Sequence, residues 1–336
     1  MMEKVIEEEY EVKEEKKKNT LVRILHWIAT HIKFLFIPGY LSEDLESRRA
    51  EYERRVSKRK FIRRLKSFLT LLGIFIIFFI VTLAVFAPWI SVYTFQDLTG
   101  YPLTGSQWGP ASPAHPLGQT LNGRDILGRM IWGARSSLTI ALPALLFAVS
   151  FGVIFGVIAG YYRGWVDTVI MRIMDIFLAF PGLVLILVFI SIWGIQIEYY
   201  MLAYGILGVA GYSRLIRGNV LQARELPYIQ AAKVAGARDW RIMFKHILPN
   251  GIQPIIIAFT FDIGGVILSL AGLSFIGFGN RDLIEWGNDI AVASDRMYDA
   301  PWAMFWPGIM ILITVLGFML VGDGLRDALD PRMKNL

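Results

Sequence analysis

The chain has 336 residues, 55% of them hydrophobic, with a mean hydropathy of +0.49 and a formal net charge of +6. That composition is too apolar for an ordinary soluble domain. The lack of cysteine excludes a disulfide framework, a thiolate metal site and a cysteine nucleophile, and the four histidines (His26, His31, His115, His246) are too dispersed for a compact ligand set.

The first twenty residues are charged and lack the apolar core of a signal peptide, so the first span is expected to direct insertion. Residues 1–19 read as a disordered charged tail. Over 20–67 two cytoplasmic helices are expected. In the first, Leu21, Ile24, Leu25, Ile28, Ile32 and Leu35 recur at helical spacing. It either lies in the membrane interface or packs against the rest of the chain. The second starts near Ser42 and carries the basic cluster 54–66, read as the flank of an inward-starting span or as a site for anionic headgroups.

Six apolar segments then approach the roughly 20 residues a spanning helix needs. They are Phe68–Trp89, Leu138–Tyr161, Ile176–Trp193, Tyr199–Ile216, Ile252–Phe278 and Ala303–Val321. Pro143 and Pro181 lie inside the second and third, Arg214 interrupts the fourth, and Asp262 sits deep in the fifth. Segments on alternate sides carry 29 and 5 of the 34 Lys and Arg, which puts both termini and the 214–251 loop in the cytoplasm. An all-α membrane protein with six transmembrane helices follows. An intramembrane carboxylate is costly, so Asp262 is expected either to line a translocation pathway or to serve as a structural group against a partner.

The 214–251 loop is long for a simple connection. Leu226-Pro227 opens a helix in which Ala231 and Ala235, and Ala232 and Gly236, are four apart, a small-residue stripe where another surface can approach closely. Gly236 permits a left-handed turn. A second short helix follows, with Ile242, Met243 and Ile247 apolar and Arg241 and Lys245 polar, and Leu248-Pro249-Asn250 is expected to break it.

The stretch AAKVAGARDWRIMFKHILPN (231–250) resembles the EAA loop of binding-protein-dependent ABC importer permeases, with Gln230 where that family usually has Glu. HPLGQTLNGRDILGRMIWGARSSL (115–138), GYYRGWVDTVIMRIMDIFLAFPG (160–182), LSFIGFGN (273–280), WGN (286–288), APW (300–302) and GDGLRDALDPR (322–332) are similar to the dipeptide, oligopeptide and nickel permeases, C-type subunit, in the same order. The resemblance implies the type I importer permease fold over 68–336 and no enzymatic activity. It implies a homologous second permease, two ABC ATPase subunits that bind ATP and Mg, an extracytoplasmic solute-binding protein and membrane lipid as partners, with no nucleic acid. It implies ATPase coupling through Gln230, Ala231, Ala232, Ala235, Gly236, Arg238, Asp239 and Arg241.

The implied cargo is a short peptide, with an oligosaccharide as alternative and nickel or a metal chelate behind it. The chain itself has no GxxxxGK[ST] phosphate loop and no cofactor site, so energy for transport must come from a partner or an ion gradient. An ion-coupled secondary transporter is the alternative of a different class. Such proteins usually carry several intramembrane charges and paired broken helices, whereas Asp262 is the deep ionisable group here.

Overall fold

The computed structural model describes residues 65–100, 106–280 and 282–329, together with Val22 and Leu25. The chain divides into two compact units, Met1–Ile62 and Arg63–Leu336. In the first, Val22 and Leu25 are helical and exposed. The charged tail and almost all of the two helices expected over 20–67, with the basic cluster up to Arg64, lie outside the described residues, as does Asp330 at the other end.

The described part of the second unit is helical, with one isolated bridge between Gln119 and Asp125. α1 (Phe68–Ile90) begins at Ser67, whose hydroxyl accepts from the Thr70 N–H at 3.3 Å. A short α2 (Phe95–Thr99) opens with a Thr94/Asp97 capping box. α3 (Ile126–Tyr162) runs for 37 residues through Pro143. α4 (Gly164–Leu178) and α5 (Gly182–Trp193) follow, then α6 (Ile197–Ala223) and α7 (Pro227–Val234). α8 (Asp239–Arg241), a π-helical turn (Ile242–Ile247) and α9 (Leu248–Gly251) form one run, and α10 (Gln253–Leu273) ends in a second π turn, Ser274–Phe278. α11 (Trp286–Ala293) and α12 (Trp302–Leu329) complete the unit.

Among the described residues four helices are long and apolar enough to cross a membrane: α1, α3, α10 with its π turn, and α12; a fifth span results if α4 and α5 are one broken crossing. Two of the six expected spans therefore differ from simple apolar rods. The third is bent by 85° between α4 and α5, at the Pro181 that cannot continue a helix. The fourth lies inside α6, which carries Glu198, Arg214 and Arg217. Its arginines are neutralised along α4: Arg217 grips Asp167 through Nε and Nη2, both at 2.6 Å, and Arg214 pairs with Asp175. The second span also starts earlier than its apolar run, at Ile126 rather than Leu138, because Asp125 caps it by accepting from the Gly128 N–H at 2.7 Å.

α3 sits at the centre, packed on α6, α1, α10 and α4, while α1 and α12 keep apolar outward faces. The α3–α6 contact is made by a glycine every fourth residue. A Cβ on Gly152 would stand 2.5 Å from Tyr212 Cβ, on Gly156 2.3 Å from the Ser213 carbonyl, and on Gly160 2.9 Å from Val220 Cβ. In lipid the hydrophobic effect does not drive helices together, so this backbone approach supplies the dispersion that holds the pair. Gly73 and Gly317 do the same for α1 against α12. The GDGLRDALDPR motif is not a separate tail: to Leu329 it is the last part of α12, with Gly322 against Phe261 and Gly324 against Thr70.

Candidate coupling surface and membrane cleft

The loop between α6 and α10 has one face inward and one outward. Ile229, Ile242, Met243 and Ile247 are buried and hold it to the bundle. Gln230, Ala231, Ala235, Gly236, Arg238, Asp239 and Arg241 are exposed, with Ala232 half-buried. The turn between α7 and α8 is a Schellman motif: the Gly236 N–H donates to Lys233 O and the Ala237 N–H to Ala232 O, both at 3.0 Å, with Gly236 at φ +77°. The expected break at Leu248-Pro249-Asn250 does not occur. The preceding π turn, in which Leu248 N–H reaches Met243 O, widens the helix enough to seat Pro249, and the chain breaks at Ile252 instead.

This loop is fastened to the end of α3. Tyr161 Oη donates to Asp239 Oδ1 at 2.6 Å, Arg224 Nη1 donates to the Tyr161 carbonyl at 2.6 Å, and Lys233 Nζ lies 5.3 Å from the Tyr161 ring. Asp239 is thus exposed but already engaged. Gln230 Nε2 donates to Arg224 O at 3.1 Å, an N–H bond that a Glu at this position does not make. Sequence reasoning missed Val234 (90% exposed) and Trp240 (66%), large apolar groups exposed on the same loop, the latter against the Phe244 ring. It also missed Tyr161, although the Tyr-Tyr pair of GYYRG was in view.

The opposite end of α3 is a polar knot. Arg129, buried, donates from Nε to Asp289 Oδ1 at 2.8 Å, pairs through Nη2 with the same oxygen at 2.6 Å, and donates from Nη1 to Leu98 O at 2.8 Å. Trp286 is fully buried in the notch left by Gly133 and donates to Met130 O at 3.2 Å. Glu285 caps α11, accepting from the Gly287 and Asn288 N–H groups at 3.1 Å each. Burial pushes its carboxyl up to about 7, against the opposing pull of those bonds and of Ser274.

Between the ends lies an open cleft of about 590 Å³, walled by α3, α5, α6 and α10. Asp262 stands in it, exposed to the cleft, and accepts from Tyr212 Oη at 2.6 Å. Tyr204, Leu183, Ile186 and Ser269 share the wall. The cleft lies beside the α4–α5 break: Gly182, the first residue after it, is part of the lining. Interrupted backbone at membrane depth is tolerated where it lines a cavity.

The two regions belong to a chain with known relatives. Residues 152–335, more than half of the protein, match the family of binding-protein-dependent transport system inner membrane components. The chain is 38% identical over 264 residues to the glutathione transport system permease protein GsiD of Pectobacterium atrosepticum, covering 78% of this chain and 86% of that one. It is 39% identical over 271 residues to the dipeptide transport system permease protein DppC of Alkalihalophilus pseudofirmus, covering 80% and 88%. A GsiD of Escherichia coli O6:K15:H31 is 40% identical over 263 residues. A helical bundle with several apolar spans, matched to that family model and to these relatives over most of its length, belongs to the binding-protein-dependent transport system inner membrane components.

Proposed function

We propose that this chain is one permease of a heterodimeric ABC importer that moves short peptides inward across the cytoplasmic membrane. Its relatives are named for glutathione and dipeptide transport, which favours a peptide cargo. The bundle crosses six times with both termini inside, α4–α5 and α6 supplying the third and fourth crossings. A homologous second permease supplies the missing wall of the cleft. Two ATPase subunits, which hold ATP and Mg, dock on the loop at Gln230–Arg241. A solute-binding protein docks at the Arg129–Asp289 end. The permease makes no bonds in its cargo.

One observation carries this reading: the exposed face of α7 and its turn is a firm platform rather than a floppy connector. Its anchors to Tyr161 and Arg224 make a push on α7 a push on α3. ATP binding closes the ATPase pair, the platforms move with it, and the cleft changes the side to which it opens.

The test is Gly236→Val in the complete importer. A β-branched residue at φ +77° distorts the Schellman turn. The expected result is a membrane-inserted complex that hydrolyses ATP but takes up little trialanine. Normal coupling between hydrolysis and uptake would overturn the docking assignment.

A further inference from the structure

We propose that the cleft around Asp262 and Tyr212 is a subsite on the solute path that takes the free ammonium group of the transported peptide; this rests on the peptide-importer reading above.

The cleft is apolar over most of its wall, yet it presents a carboxylate that is paired with no cation among the described residues. Its lining contains no Lys, Arg or His. Tyr212 occupies Oδ2 of Asp262 through one neutral hydrogen bond at 2.6 Å. Among the described residues, no side chain is bonded to the other carboxylate oxygen. Tyr204 lines the same cleft, but its hydroxyl is enclosed and lies within electrostatic reach of Glu285 and Tyr200 rather than Asp262, so the carboxylate and Tyr212 are the polar groups a visitor meets.

Space is provided by backbone. A Cβ added at Gly182, Gly211 or Gly265 would meet nothing within 4 Å, so the cleft is open beside each. Gly182 follows the 85° bend at Pro181, which turns α5 away from the line of α4 and leaves this opening. An ammonium group matches the set: it donates three hydrogen bonds, carries the missing positive charge, and sits on a body small enough to pass apolar walls. An ion pair made only at this depth holds the peptide briefly by one end, the behaviour a transport path needs. Binding that is too strong or too extensive would stop release.

The test uses the complete importer in proteoliposomes, with trialanine and N-acetyl-trialanine as probes. The preference of the binding protein enters both wild-type and variant ratios and cancels between them. Asp262→Asn is expected to lower the preference for trialanine over its acetylated form about tenfold, the effect of losing one charge-assisted contact, while Asp262→Glu keeps most of it. An unchanged preference, or unchanged trialanine uptake with Asp262→Asn, overturns the proposal. So does a series in which Asp262→Asn is fully active and only Asp262→Ala fails to assemble. A measurement independent of variant folding is carbodiimide labelling of Asp262 in the wild-type importer. It is expected to slow during turnover with trialanine, and equal rates with and without peptide overturn the proposal. A wild-type importer that takes up neither probe overturns the peptide reading itself, a result distinct from the others.

Discussion

Glu285 is a carboxylic acid folded into a place that suits its neutral form. Its burial outweighs the two N–H bonds it accepts and lifts its titration to about 7 from an ordinary 4.5. Between those values the folded chain keeps a proton that the unfolded chain has released. Stability therefore falls as pH rises through the window and levels off above it. Glu285→Gln is expected to flatten that slope, read as the midpoint of thermal unfolding in detergent at pH 5 and pH 8 with a fixed scan rate. A wild-type midpoint independent of pH, or the same slope in the variant, would refute it. Arg129 and Asp289, nearby on the same knot, follow the opposite logic: each is tolerated while buried because the other is there, with Leu98 O taking a further guanidinium N–H. Nothing in the sequence pairs residues 160 positions apart. Arg129 falls inside the quoted stretch 115–138 and Asp289 just after WGN, but neither stretch carries a sign that they meet.

At the scale of elements, the α3–α6 seam decides whether the bundle closes. Gly156→Leu would drive a side chain into the Ser213 carbonyl and Ile216, and is expected to abolish assembly. Gly218→Ala, on the same α6 but with open space around it, is expected to stabilise by about 0.5–1 kcal/mol through its better helix propensity. The pair is read as the yield of monodisperse complex after detergent extraction. Loss in both, or in neither, would refute the seam. The spans α1, α3, α10 and α12 were legible in the sequence because lipid imposes a long apolar run, whereas the glycine spacing at 152, 156 and 160 gained meaning only from α6 packed against it. α6 and the α4–α5 pair were harder. Their charges are satisfied across helices by Asp167 and Asp175, and hydropathy counts the arginines while ignoring the partners. The loop was read correctly as helix, left-handed turn, helix. Its π turn was not foreseen; it stands immediately before Pro249, a residue without the N–H that a regular helical turn would use.

At the scale of the whole molecule, the proposed orientation rests on where the Lys and Arg fall. The absence of cysteine makes the native chain its own template for testing it. Asn122→Cys and Lys245→Cys place single thiols on exposed residues at the two ends of the bundle. A membrane-impermeant maleimide applied to spheroplasts is expected to label the first and to reach the second only after lysis. The reverse pattern would invert the topology.

The central helix has a consequence for how the two faces of the membrane communicate. Thirty-seven residues at about 1.5 Å each make a rod of roughly 55 Å, against a hydrocarbon core of about 30 Å. One tip is clamped by Arg129 and Trp286, the other by Tyr161 and Arg224, and no loop intervenes. One unbroken helix therefore ties a polar knot on one side to the coupling loop on the other, with Pro143 the one interior residue that cannot donate a helical N–H. Gly152, Gly156 and Gly160, seated on α6, all lie in the half towards Tyr161, so the closest backbone packing of this helix is on the loop side of Pro143.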